Sequence, residues 1–79
     1  MITVVLLGKL ADLAGTASLT LTAPLDWAGL RAALPPALSD AIDDPRNRVA
    51  LNGALLTDKA ALQAGEGDEI ALLPPVSGG

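Results

Sequence analysis

Cysteine and histidine are both absent from this chain, and their absence removes several classes of function at once. Without cysteine there is no disulfide framework, and without either residue there is no Cys/His metal site, so no bound metal is expected. The same absence excludes a Ser-His-Asp or Cys-His nucleophile system within this chain. An acid–base enzyme built from these residues would have to rely on carboxylates alone.

Positive charge and aromatic rings are also scarce. Five Lys and Arg stand against nine Asp and Glu, giving a net charge of −4, and Trp27 is the single aromatic residue. A nucleic-acid interface needs basic groups to neutralise phosphates, so no nucleic-acid partner is expected. No apolar run approaches the roughly 18 residues of a membrane span, and the opening run lacks the basic residues of a signal peptide. The expected location is therefore the cytoplasm, away from the membrane.

The first third of the chain has strand and helix patterns at short spacing. The 79 residues are enough for one domain, and the 51% hydrophobic content compensates for the small size of its core. Residues 2–7 are apolar on both alternations, which predicts a strand buried on both faces. A helical turn follows and ends at Gly15, and residues 17–22 alternate as in a half-buried strand. The connection is short, so these two strands should be antiparallel.

The remaining elements complete an α+β pattern. Asp26 is the expected N-cap of the main helix, which the two prolines at 35–36 break or kink. The Asn-Gly pair at 52–53 predicts a hairpin, and residues 69–73 form the last strand. The order strand, strand, helix, strand, short strand, strand predicts a β-grasp fold of the ubiquitin-like kind. In this fold a mixed sheet wraps around one main helix, and the first and last strands lie side by side at its centre.

The C-terminal end predicts a stiff, narrow tail on a compact domain, with the domain at 1–73 and the tail at 74–79. The tail consists of Pro74, Pro75, Val76, Ser77, Gly78 and Gly79. Two prolines fix φ and remove amide donors, so the last strand cannot continue. Two glycines have no side chains and can enter a narrow passage, and six extended residues reach about 20 Å. Glycine is common in this chain, so chance or a frayed terminus is the alternative reading of the pair.

The internal motifs favour structure over chemistry. Asp43 and Asp44 are adjacent and point in divergent directions beside a proline, as expected of a solvated turn. The Gly-Glu-Gly-Asp sequence at 65–68 precedes a strand and contains two acidic residues. A phosphate-binding loop would instead precede a helix and would not place negative charge beside the phosphate. Trp27 has the helical spacing of a residue at the edge of the core. The C-terminal carboxylate is then the remaining reactive group, and it needs activation, for example as an anhydride with AMP, before sulfur or an amine can attack it.

The C-terminal end resembles that of the small subunit of molybdopterin synthase, a ubiquitin-like sulfur carrier. The resemblance lies in Gly-Asp-Glu-Ile-Ala at 67–71 and in the Pro-Pro-Val-Ser-Gly-Gly end. It extends to the chain length, the opening apolar strand, the helix that ends at Gly15 and the hairpin at Asn52. Relatives often have Phe where this chain has Leu at positions 7, 72 and 73, and some have Arg in place of Ala11.

The resemblance implies a carrier without a catalytic site or a bound cofactor of its own. An adenylating partner, similar to ubiquitin-activating enzymes, would use ATP and Mg to convert Gly79 to an acyl-adenylate. A donor such as a cysteine desulfurase would indirectly supply the sulfur of a thiocarboxylate. The tail, from Pro74 to Gly78, would insert into the large subunit of the synthase and deliver sulfur to the cyclic pyranopterin precursor, forming the molybdopterin dithiolene. The residues that match the docking patch of the family are Leu7, Leu55 and Leu73.

Several alternatives remain open from the sequence. The carrier could instead supply sulfur for thiamine or for tRNA thiolation. The chain could be a ubiquitin-like modifier that forms isopeptide bonds with lysines, or a non-covalent β-grasp interaction module. Leu7 and Leu55 could also serve only the core, since buried strands favour leucine.

Overall fold

A computed structural model describes residues 1–75 as an α+β arrangement of short elements, and residues 76–79 lie outside the described range. The strands are β1 (Ile2–Leu6), β2 (Ser18–Leu21), β3 (Leu25–Asp26), β4 (Arg48–Leu51), β5 (Ala54–Leu55), β6 (Gln63–Ala64) and β7 (Glu69–Leu73). The helices are α1 (Lys9–Ala14), α2 (Trp27–Ala33) and α3 (Pro36–Asp43), with a 3₁₀ turn at Lys59–Ala61. In this described part, no helix is long and apolar enough to cross a membrane.

The main sheet is mixed and has the strand order β2-β1-β7-β4-β5. β1 and β7 are parallel, with Val4 opposite Ile70, and the other neighbouring pairs are antiparallel. Parallel neighbours need a long crossover, which the whole chain between β1 and β7 supplies. The prediction that the first and last strands pair at the middle of a mixed sheet is confirmed.

The core lies on one face of this sheet, beneath the helices. Its fully buried residues on β1 are Ile2, Val4 and Leu6, whereas Thr3 is exposed and Val5 is partly exposed. The prediction that the first strand is buried on both faces is therefore wrong. An apolar run does not specify how many layers cover a strand, and in the described chain the helices cover only one face. The second face is open.

The predicted break in the main helix is confirmed. The Asp26 side chain accepts a hydrogen bond from the Gly29 backbone N–H at 2.7 Å and caps α2. Leu34 adopts an extended conformation, as residues before proline do, and Pro36 then begins α3 in its first turn. The Ser39 hydroxyl donates to the Arg31 carbonyl at 2.5 Å and ties the two helices together.

The turns on the far side of the sheet combine one predicted and one unpredicted feature. Asn52 and Gly53 both have positive φ, 50° and 85°, which confirms the hairpin between β4 and β5. The Asn52 side chain also donates to Asp68 at 3.1 Å and accepts the Glu69 N–H at 2.9 Å, which joins two turns. A second sheet pairs β3 with β6, and it was not predicted because strands of two residues are too short to show alternation.

Candidate docking face and tail root

The open face of the main sheet brings together the three leucines that the resemblance assigned to docking. Val5 lies opposite Ala71 in the parallel pair, and Ala71 lies opposite Ala50, which in turn lies opposite Leu55. Side chains alternate between faces, so this row points away from the helices. We call the apolar part of this face the sheet patch; it consists of Val5, Leu7, Leu55, Ala71 and Leu73.

Leu7 and Leu73 lie side by side at the end of the parallel pair. The Leu7 N–H donates to the Leu72 carbonyl at 3.2 Å, which extends the β1–β7 ladder by one residue. Leu6 lies opposite Leu72, so Leu7 is level with Leu73. Leu55 is two strands away from β7, about 10 Å at the usual strand spacing. One partner surface could therefore contact all three leucines.

The leucines of the sheet patch differ in exposure from the core. Leu7 is 43% exposed and Leu55 is 59% exposed, whereas every leucine of the buried cluster is at most 6% exposed. Leu73 is half-buried and also lies outside that cluster. Folding leaves part of this apolar area in water, so a role in the core alone does not explain Leu7 and Leu55. Their docking role stays a prediction.

Polar groups border the sheet patch. At the end of the patch away from the tail, Thr3 on β1 lies between Glu69 on β7 and Thr20 on β2. At the end of the patch next to the tail, Arg48 on β4 lies opposite Leu73 on β7. Within residues 1–75, no carboxylate forms a salt bridge with Arg48. An apolar centre with a polar border is typical of a protein–protein interface.

The root of the tail lies between two shallow grooves. Pro74 is half-buried and Pro75 is exposed. One groove places both prolines beside Arg46 and Arg48, and the other places them beside Lys9. These two arginines were not identified from the sequence as neighbours of the tail. Their position follows from the strand register, which pairs Arg48 with Leu73 and is not readable from the sequence pattern.

The carboxylates near this root do not form a catalytic pair. Arg46 donates to Asp44 through its side chain at 2.9 and 3.2 Å and through its backbone N–H at 2.9 Å. These hydrogen bonds lower the pKa of Asp44 to about 2, so it remains ionised. Asp43 bonds instead to Arg31 at 2.7 Å. Across the described chain, no three acidic residues are grouped so that they could hold a metal ion.

Lys59 has a structural position in the described fold. Its Nζ donates to the carbonyl oxygens of Ile42 and Asp44, each at 2.7 Å, at the C-terminal end of α3. It also lies 5.9 Å from the ring centroid of Trp27, which packs against the edge of the core as predicted. Partial burial lowers the pKa of Lys59. These contacts tie the 3₁₀ turn to α3.

The reactive end of the predicted site is formed by the last four residues. Val76, Ser77, Gly78 and Gly79 lie outside the described residues. Their roles in tail insertion and sulfur transfer, like that of Gly79 as the acyl-adenylate and thiocarboxylate, remain predictions. The described part supplies the root of the tail and the face beside it.

Solved structures with this fold cover nearly the whole chain. Small archaeal modifier protein 1 from Methanosarcina acetivorans is 27% identical with a TM-score of 0.78, over 99% of this chain and 95% of that one. SAMP1 from Haloferax volcanii is 28% identical with a TM-score of 0.74, over 99% and 98%. A complex of subunits 1 and 2 of molybdopterin-converting factor from Helicobacter pylori includes a chain 28% identical with a TM-score of 0.68, over 99% and 97%. The comparison with curated protein sequences finds no match.

These structures and the strand order identify a ubiquitin-like β-grasp protein, which confirms the predicted fold. The model of the ThiS family matches residues 4–79, and the chain belongs to that family. The predicted resemblance to sulfur carriers of this fold is thereby confirmed. The neighbours include both modifier proteins and a molybdopterin-converting factor, so family membership leaves the particular pathway to be argued separately.

Proposed function

We propose that this chain is the small, sulfur-carrying subunit of a molybdopterin synthase. The observation that carries the proposal is the sheet patch beside the tail root, on a chain whose described part contains no catalytic constellation. A carrier needs one face to dock and one end to react, and it needs no chemistry of its own. The similarity to a molybdopterin-converting factor solved as a two-subunit complex also supports this assignment.

The proposed chemistry takes place at the carboxylate of Gly79. A carboxylate oxygen attacks the α-phosphorus of ATP on an adenylating partner that holds Mg, and pyrophosphate leaves. Sulfur that originates from a donor such as a cysteine desulfurase then displaces AMP and leaves a thiocarboxylate. In the synthase this thiocarboxylate gives its sulfur to the cyclic pyranopterin precursor, on the way to the dithiolene.

The large subunit is the proposed docking partner of the sheet patch. Leu7 and Leu55 expose apolar area that a partner would remove from water, which favours association at about 25 cal/mol per Å². Pro74 and Pro75 restrict the root of the tail, so less conformational entropy is lost when residues 76–79 enter a cleft. The basic catalytic groups would come from the large subunit.

Intact mass spectrometry tests the activation step. The carrier is incubated with a candidate adenylating enzyme, ATP, Mg and a sulfur source, and the expected product has one oxygen of Gly79 replaced by sulfur. Two controls are a variant without Gly79 and a variant with one alanine added after it; neither should gain sulfur. Absence of the product with an enzyme that activates a related carrier would contradict the proposal.

The transfer step separates the molybdopterin assignment from its rivals. The thiocarboxylated carrier is mixed with the large subunit and the cyclic pyranopterin precursor, and dithiolene formation is expected. Sulfur transfer only to a thiazole precursor or to tRNA would instead assign the carrier to thiamine synthesis or tRNA thiolation.

A protein modifier is the second candidate, favoured by the similarity to two small archaeal modifier proteins over nearly the whole chain. The same activated carboxylate would then be attacked by a lysine amine and form an isopeptide bond. Immunoblots of cells that express the tagged chain would show ladders of heavier conjugates that disappear without Gly79. A chain that retains its activity after a C-terminal extension would instead be a non-covalent interaction module.

A further inference from the structure

The geometry points to Gly8 as the residue that sets the direction in which the tail leaves the sheet. Gly8 lies directly after β1 and Leu7, at the point where the chain turns into α1. The biological meaning of this inference rests on the proposed function, whereas the contact between Gly8 and Pro74 involves only residues that the structure describes. Gly8 acts through Pro74 rather than on the reacting carboxylate itself, so it is a positioning residue.

The backbone of Gly8 requires glycine. Its φ is 55° and its ψ is −130°, a combination that L-residues with a Cβ rarely adopt. Its carbonyl accepts hydrogen bonds from the N–H groups of Ala11 at 3.1 Å and Asp12 at 3.4 Å, which begin α1. The conformation thus turns the chain sharply from the sheet into the helix.

The space beside Gly8 is filled by the tail root. A Cβ built on Gly8 would lie 3.0 Å from Cγ of Pro74 and 3.9 Å from its Cδ. Carbon atoms in favourable contact are about 3.5–4.0 Å apart, so an added methyl would push against the proline ring. Three other glycines with positive φ, at positions 15, 53 and 67, have no such neighbour within 4 Å of an added Cβ. The contact with the tail is therefore particular to Gly8 within this group.

The end of β7 holds the base of Pro74 in place. On the β1 side, the Leu7 N–H donates to the Leu72 carbonyl at 3.2 Å. Leu73, the residue before Pro74, is paired with Arg48 in β4. A side chain at position 8 would consequently displace the ring at the base of the tail and change the path of every residue beyond it.

Four variants isolate this contact: Gly8→Ala, Pro74→Ala, the double variant, and Gly15→Ala. Gly15 has a φ of 73° and caps the other end of the same helix with no atom within 4 Å of an added Cβ, so it controls for strain alone. Both glycine variants should lower Tm by about 4–8 °C or more, the larger loss falling at Gly8 because its ψ is less accessible to alanine. All assays are run well below the lowest Tm.

The first readout is single-turnover sulfur transfer from carrier preloaded with the thiocarboxylate. At saturating carrier, Gly8→Ala should slow the step by roughly tenfold or more, since small misplacements of a reacting group are costly. Gly15→Ala should leave that rate within about twofold. In the Pro74→Ala background the further loss from Gly8→Ala should also be within about twofold, because the ring it pushes against is gone. A purely structural defect would raise the apparent KM and leave the saturated rate unchanged.

The second readout needs no sulfur chemistry. The chain has no native cysteine, so a single cysteine at the exposed position Thr20 on β2, away from α1, can carry a nitroxide. The paramagnetic effect of this label on the Val76 amide reports the path of the tail. Gly8→Ala should change this effect, whereas Gly15→Ala should not. If the wild-type carrier transfers no sulfur, the proposed function fails while this measurement still decides the role of Gly8. Equal changes in both glycine variants, or no change in Gly8→Ala, would overturn the inference.

Discussion

Leu55→Ala is the sharpest test of the sheet patch, and its size follows from the structure. Complete burial of a leucine side chain contributes about 1.5–3 kcal/mol. Leu55 is 59% exposed in the free carrier. A partner that covers this exposed part of the side chain therefore gains about 0.9–1.8 kcal/mol of binding free energy. Most of that is lost with alanine, which raises the Kd for the large subunit by about 4- to 20-fold.

The assay is isothermal titration calorimetry of the chain with the proposed partner, the large subunit of molybdopterin synthase, at several temperatures. Burial of apolar surface gives a negative heat-capacity change, which should become less negative in Leu55→Ala. Leu13→Ala is the matched control for the sheet patch, because Leu13 is 50% exposed but lies on α1, outside the patch and beside the groove of the tail root. Its Kd should stay within about twofold of the wild-type value.

Two outcomes would refute this reasoning. If Leu55→Ala binds as tightly as the wild type, the partner does not cover β5. If Leu13→Ala weakens binding as much as Leu55→Ala does, the helical side forms the interface instead. A thermal melt of each variant is needed as well, and Leu55→Ala should melt close to the wild type because it removes no atom from the buried cluster.

Three further predictions concern stability. Lys59→Met should lower the free energy of unfolding, measured in urea, by about 1–3 kcal/mol, because two carbonyls lose a charged donor. Lys9→Met, on the exposed start of α1, is the control and should change this free energy by less than about 0.5 kcal/mol. Equal effects of the two variants would contradict the structural role of Lys59. Hydrogen bonds from Arg46 lower the folded pKa of Asp44 to about 2 from its ordinary value of 3.8, so its ionised form stabilises the fold above pH 3.8 and this contribution is lost as the pH falls towards 2. Asp44→Asn should therefore flatten the acid-unfolding curve in that window, and an unchanged slope would rule out the Arg46 contact. Leu30→Ala, at a fully buried position, should cost about 2–5 kcal/mol in the same urea assay, and a smaller loss would mean that the core closes around the cavity.

Local signals in the sequence were reliable where a single residue determines the backbone. Gly15 ends α1 in the left-handed conformation with a φ of 73°, and Asp26 caps α2 through its side chain. The hairpin at Asn52 and the break before Pro36 follow the same logic, since each depends on a residue with few alternative conformations. These elements could be predicted without knowing the rest of the fold.

Features that depend on tertiary packing could not be predicted in the same way. The apolar run at residues 2–7 does not reveal that one face of β1 stays open, because an open apolar face and a buried one have the same composition. Gly8 likewise gives no signal by itself, since its importance comes from Pro74, 66 positions along the sequence. The three leucines predicted to dock come from a resemblance, and only the strand register shows that they share a face.

The pairing of β7 explains why docking and tail direction belong together in this fold. β7 is the central strand of the sheet and has hydrogen-bonded neighbours on both sides, β1 and β4. It contributes Ala71 and Leu73 to the sheet patch and then continues directly into Pro74. A partner that binds the patch therefore also fixes the strand from which the tail emerges, and the prolines transmit that orientation without a flexible joint. If the patch and the tail lay on different elements, binding at the patch would not fix the direction of the tail. Motion between the two elements would then make the position of the reacting carboxylate variable.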